Sequence, residues 1–300
     1  MLVADRFAKL ARDRAVAREI QVMDTVTRYW EYPATNADSP TLILIHGYRG
    51  NHHGLEAIAG ALPEFNIIIP DLPGFGKSTP FGNAHSIENY SWWLGEFIDR
   101  LGLPAKPHLL GHSFGSIVVS HHVAHSDDVS SLILENPVSA PALKGPNAVV
   151  TKIAQAFFHF AGRLPLEPGE KLLKSWPMVR GMSILMTKSL NRKMRSWVHA
   201  QHDANFNDFA NRRVAIEGYQ ASISRNVGEF APEFKVPVLV IAGTRDDITS
   251  LKQQKTMFDL IRVEKQLVVL PKVGHLTHYE CPDLVAAAIS AHIKKLESAI

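Results

Sequence analysis

The chain reads as an α/β fold, a mostly parallel central sheet with helices on both faces. Two observations predict it. Short apolar, β-branched runs alternate with stretches of helical periodicity, the pattern of strands joined by crossover helices. The 300 residues are 46% hydrophobic, which is enough to bury a large core. The elements follow in chain order. Residues 1–24 are an N-terminal helical segment in which Val3, Phe7, Leu10 and Ala17 share a stripe with Arg14. That stripe suits packing on the domain, with contact to acidic lipid as the alternative. Thr41–Ile45 is a strand ending in His46-Gly47-Tyr48-Arg49-Gly50, and Asn66–Ile69 is another, ending in the loop Pro70–Ser78. Ser86 caps a helix that runs through Leu101 and stops at Gly102. Pro107–Leu110 leads into Gly111-His112-Ser113-Phe114-Gly115. From about Ala140 to Pro232 the alternation stops: only helical stretches remain, with Ile153, Phe157 and Phe160 on one stripe and Met178, Met182 and Met186 on another. Val236–Ile241 then leads into Gly243-Thr244-Arg245-Asp246-Asp247, and Gln266–Leu270 into Val273-Gly274-His275. A final helix, Pro282–Lys295, has proline in its first turn.

The most informative motif is the G-x-S-x-G at residues 111–115. Where a strand turns sharply into a helix, this pattern forms a nucleophile elbow. The serine hydroxyl is exposed on a strained turn, and side chains at Gly111 or Gly115 would collide with neighbouring elements. The helix N-terminus beneath it favours the negative charge that acyl transfer develops. A serine, then an acid after a later strand, then a histidine after the next strand is the order Ser113, Asp246, His275. With the H-G-x loop at His46 and the D-x-P-G-x-G-x-S loop at Asp71–Ser78, these motifs make the chain resemble the α/β-hydrolase superfamily from about Thr41 to the last helix, with the middle third unmatched. The resemblance implies an α/β-hydrolase fold with a helical cap inserted after the sixth strand. The expected division is a core of residues 25–139 and 233–300 and a cap of residues 140–232.

The chemistry follows from residue type. A serine hydroxyl needs a base as it attacks, and His275 is placed to be that base. Asp246 would accept from the other ring nitrogen and fix the tautomer. Asp247 adjoins it, but in similar hydrolases the acid stands three residues after the glycine closing the strand, which gives Asp246. Glu135, after the sixth strand, is a third candidate because some relatives use that position. The oxyanion donors implied are the backbone N–H groups of Phe114 and Tyr48. His46 is expected to brace its loop. Phe157 and Met182 are the cap residues expected to roof the substrate pocket, which favours an apolar acyl or alcohol group. The reaction implied is hydrolysis of a small-molecule carboxylic ester through an acyl-enzyme, with no cofactor and no metal. The alternatives are a thioesterase or acyltransferase with the same triad, a carbon–carbon bond hydrolase and a non-catalytic small-molecule receptor. Carbon–carbon hydrolases often carry Asn before the serine and Trp after the histidine; here those residues are His112 and Leu276.

Charge and composition bound the rest. Residues 144–229 hold 13 Lys and Arg against 6 Asp and Glu, whereas the whole chain carries +3. Lys188, Arg192, Lys193 and Arg195 are the densest cluster, read as a solvated face or as an attractor for an anionic substrate or acidic membrane surface. No nucleic-acid-binding module accompanies it. Gly76-Lys77-Ser78 imitates the end of a phosphate loop, but position 71 is Asp where that motif needs glycine. His121 and His125 have i, i+4 spacing without a signalled third ligand, so packing histidines are expected. The single cysteine, Cys281, permits no internal disulfide and is read as buried filler. With no signal-peptide pattern, a cytoplasmic protein is expected.

Overall fold

The computed structural model describes residues 1–143 and 148–298; Lys144, counted in the basic surplus, lies outside them. Helix α1 (Val3–Arg14) is followed by strands β1 (Val16–Val22) and β2 (Thr25–Tyr32), then β3 (Thr41–Ile45), α2 (Glu56–Ala61), β4 (Asn66–Pro70) and α3 (Ile87–Leu101). Strand β5 (His108–His112), α4 (Phe114–His125) and β6 (Ser131–Glu135) complete the first half. Five helices come next: α5 (Ala148–Arg163), α6 (Leu166–Leu173), α7 (Trp176–Met186), α8 (Arg192–Asn205) and α9 (Arg212–Ser224). The chain then returns to the sheet through β7 (Val238–Gly243), α10 (Leu251–Leu260) and β8 (Lys265–Leu270), and closes with α11 (Thr277–Glu280) and α12 (Pro282–Glu297).

The eight strands form one sheet in the order β1-β2-β4-β3-β5-β6-β7-β8. Pairing is antiparallel from β1 to β2 and from β2 to β4, and parallel everywhere else. Strand side chains alternate between faces, and this divides the core in two. Ile43 and Ile45 of β3 and Val238 and Val240 of β7 join α3 and α4 on one side. Leu42, Leu44, Leu239 and Ile241 join α2 and α12 on the other. Strands buried on both faces read as continuous apolar runs, and so the central strands were visible in the sequence. Ser86 caps α3 by accepting from Asn89 N at 3.2 Å, and Gly102 ends it at φ 58°.

Residues 1–24 depart from the helical segment expected there. The helix stops at Arg14, and residues 16–22 pair with β2 across a turn with Met23 at φ 53°. The buried face of α1 also differs from the apolar stripe. Ala4, Ala8 and Ala11 are buried, while Val3 and Leu10 are 43% and 49% exposed. Small residues win because α1 lies almost backbone-to-backbone on α2: a Cβ on Gly60 would sit 1.8 Å from the Phe7 carbonyl oxygen. Among the described residues no helix is long and apolar enough to cross a membrane.

Candidate active site

The parallel strands aim their C-terminal ends at one rim of the sheet, where open α/β sheets carry their ligand sites. Ser113 stands there between β5 and α4, at φ 52° and ψ −119°, a backbone conformation that side chains rarely adopt. The neighbouring glycines make the turn feasible. A Cβ on Gly115 would lie 2.3 Å from Ile45 O, and one on Gly111 would lie 2.6 Å from Gly115 O. Two hydrogen bonds hold the turn: Ser113 N donates to Glu135 O at 3.2 Å, and Ser116 N donates to Ser113 O at 2.9 Å.

Above this turn, His275 Nε2 lies 2.8 Å from Ser113 Oγ, and His275 Nδ1 lies 2.9 Å from Asp246 Oδ2. A carboxylate can only accept, so Nδ1 carries the proton and Nε2 is left to accept from the serine hydroxyl. Asp246 is itself held. Its Oδ1 accepts from Ile248 N (2.9 Å) and Thr249 N (3.2 Å), and its Oδ2 accepts from Asn136 Nδ2 (3.0 Å) and Gln254 Nε2 (3.2 Å). Burial alone would raise this carboxyl. The facing His275 ring and the donated hydrogen bonds outweigh that and keep it below its ordinary value.

The two other acids lie elsewhere. Asp247 has a half-exposed side chain and is ion-paired with Lys188. Glu135 is fully buried between His112 and His278, each 3.3 Å away, and takes a hydrogen bond from Thr277 Oγ1 at 2.5 Å. Burial opposes its ionisation, but the two imidazoles prevail and hold it well below the usual range. His112, Glu135 and His278 bring potential metal-ligand atoms within 4.8 Å of one another, as do His52, His53 and Glu56. In the second group the ring nitrogens are already engaged, His52 by Asp71 and His53 by Glu56, both at 2.9 Å. His121 and His125 belong to neither group: His121 bonds Ser91 Oγ, and His125 bonds the His121 carbonyl. Cys281 is buried, and desolvation pushes its thiol up to about 12, which leaves it protonated and inert.

The loop after β3 approaches Ser113 closely. A Cβ on Gly47 would be 3.2 Å from Ser113 Cβ. His46 ties this loop to the end of β4: its Nε2 accepts from Leu72 N at 2.9 Å, so Nδ1 donates to Gly47 O at 2.8 Å. Among the described residues, neither the Tyr48 nor the Phe114 backbone N–H has an acceptor. The Tyr48 ring leans away from the serine toward Phe75, Phe158 and Tyr219, and its hydroxyl donates to Ala215 O of α9 at 2.5 Å. Buried Arg49 links the same loop to the overlying helices, donating to Leu173 O and Phe206 O at 3.0 Å each.

A cavity of ≈ 60 Å³ opens onto Ser113 and His275. Its lining differs from the pocket residues expected from sequence. Phe157 packs edge-on against Phe158, Met182 is half-buried, and neither borders the cavity. Met186, the last residue of the same methionine stripe, does, together with Gln201, His202 and Asn205 of α8 and Phe206 just after it. Helical spacing identifies an apolar face but not what that face meets. The inward face of α8 buries Met194 and Val198 and then presents Gln201, His202 and Asn205 to the cavity, and nothing in the pattern marks that polar end as different from a solvated face. Burial pushes His202 down to about 3, so its ring is neutral. Its Nδ1 pairs with Ser183 Oγ at 2.8 Å.

Three comparisons fit this geometry. Lipase 1 of Psychrobacter immobilis is 26% identical over 268 residues, spanning 88% of this chain and 80% of the lipase. A 2-succinyl-6-hydroxy-2,4-cyclohexadiene-1-carboxylate synthase of Serratia proteamaculans (strain 568) is 26% identical over 261 residues, spanning 84% of this chain and 92% of the synthase. The solved structure of a thermophilic esterase from Thermogutta terrifontis superposes with a TM-score of 0.76 at 21% identity, covering 94% of this chain and 99% of that one. The sequence profile of the alpha/beta hydrolase fold matches residues 40–282. With most of its length matched, and with the sheet order and the elbow described above, the chain belongs to the alpha/beta hydrolase fold family.

Proposed function

We propose that this protein is a serine hydrolase that cleaves carboxylic esters through an acyl-enzyme on Ser113. The observation that carries the reading is the hydrogen-bonded series Ser113–His275–Asp246 at a strained strand-to-helix elbow. In the proposed reaction Ser113 Oγ attacks the ester carbonyl while His275 Nε2 takes its proton. Asp246 keeps the ring in the required tautomer and faces the charge that the ring acquires. The carbonyl oxygen, now negative, is received by the N–H groups of Tyr48 and Phe114. His275 passes the proton to the departing alcohol. Water then attacks the acyl-enzyme by the same route and releases the acid. In this reading residues 140–232 act as a cap over a core of 25–139 and 233–300.

Among the relatives, a lipase and an esterase favour an ester as substrate. The sequence favoured an apolar acyl or alcohol group, and within that reading we infer a short acyl group. The space beside Ser113 and His275 is small, and Gln201, His202 and Asn205 line its roof. The test is hydrolysis of p-nitrophenyl esters of increasing acyl length. The expected result is the highest kcat/KM at the shortest chains and a loss approaching roughly 10⁶-fold in Ser113→Ala. Turnover of thioesters with no ester hydrolysed would move the reading to a thioesterase. Substantial activity in Ser113→Ala would reject the mechanism.

A further inference from the structure

Half of the exposed large apolar side chains among the described residues fall between Leu143 and Leu190. Two helices show why this is unusual. Helix α5 buries Phe158 and Ala161, yet its opposite face carries Val149, Ile153 and Phe160, and it contains no acid. Helix α7 buries Val179 and turns Trp176, Ile184 and Leu185 outward. A helix apolar on both faces has a second partner to meet.

Beside α7 the apolar surface meets charge. Leu190, in the link to α8, is 78% exposed and is followed by Arg192, Lys193 and Arg195, all exposed. Among the described residues none of these three has a carboxylate partner, whereas Lys188 is taken by Asp247. They also occupy the first turn of α8, which holds no acid. The positive end of the helix dipole disfavours cations there. Their placement therefore opposes helix stability and suits an external anion. A second copy of the chain would bring the same cations face to face. A bilayer with anionic headgroups satisfies both the apolar side chains and the cations.

We propose that the α7–α8 hairpin docks on an anionic phospholipid bilayer, with Ile184, Leu185 and Leu190 entering the headgroup layer and Arg192, Lys193 and Arg195 meeting the lipid anions. The same two helices supply Met186 and Gln201 to the cavity, so docking places the roof of the site next to the membrane. Cosedimentation of the full chain tests this, using phosphatidylcholine vesicles with and without phosphatidylglycerol. The wild type is expected to bind the anionic vesicles selectively and to release them as salt is raised. Each surface cation contributes about fivefold near such a bilayer, so Arg192→Gln with Lys193→Gln and Arg195→Gln should weaken binding about a hundredfold. Ile184→Ser with Leu190→Ser should also weaken it, and both variants should keep wild-type hydrolysis of a short soluble ester, which shows that they fold. Absent or charge-indifferent vesicle binding, or variants that bind like wild type, would overturn the proposal. So would a wild-type dimer on a sizing column that the Ile184→Ser, Leu190→Ser variant dissolves, since the face would then be occupied by a second copy.

Discussion

Asn136 occupies a left-handed backbone position, φ 44°, directly after β6, and from there its amide donates to both Asp246 and the Gly274 carbonyl. One residue thus joins the loop carrying the acid to the loop carrying the histidine. Thr277 extends the tie with contacts of 2.5 Å to both Asn136 and Glu135. Such orientation is costly to lose, because the imidazole acts only in one tautomer. Asp246→Asn would offer the ring a donor in place of an acceptor and is expected to lower kcat about 10⁴-fold, by the serine-protease precedent. Asp247→Asn loses an exposed pair with Lys188 and should stay within a few-fold of wild type. Steady-state kinetics on one ester checks both; equal losses would leave the acid unassigned. Ser113, Asp246 and His275, the residues of the proposed mechanism, could be singled out in the sequence because each follows a strand within a few residues and lies near a glycine. Asn136 and Gln201 could not. Their roles depend on which loop or helix face comes to lie opposite, and local spacing does not record that.

The same division holds for elements. Strands β3, β4, β5 and β7 could be read because burial on both faces gives each an apolar run. Strand β1 lies at the sheet edge with most of its residues exposed, so it shows neither a continuous run nor a clean alternation. In α1 the larger apolar residues drew the eye to the wrong face, since the contact with α2 admits only small side chains. Gly60→Ala should therefore force the two helices apart and cost about 1–3 kcal/mol. Leu10→Ala, on the exposed face, should change stability by less than about 0.5 kcal/mol. Urea midpoints of the two variants decide this, and the reverse ranking would show that α1 packs through Leu10.

For the molecule as a whole, buried histidines set an acid limit. Desolvation holds His85, His112 and His292 down to about 4 and His202 to about 3, against about 6.5 in an unfolded chain. A depressed histidine keeps its full contribution above the unfolded value and loses it as pH falls, because the unfolded chain then binds protons that the fold refuses. The urea midpoint is therefore expected to fall as pH drops from about 6.5 toward 4, before most carboxylates titrate. His202→Phe should flatten that fall, and a midpoint constant over the interval would contradict the buried, neutral rings.

In the proposed mechanism His275 activates Ser113 as the nucleophile. Intact-mass and peptide mapping after treatment with a fluorophosphonate tests it most directly. The expected result is a single adduct, located on Ser113, absent in Ser113→Ala and strongly slowed in His275→Ala. An adduct at Cys281, or undiminished labelling in either variant, would contradict it.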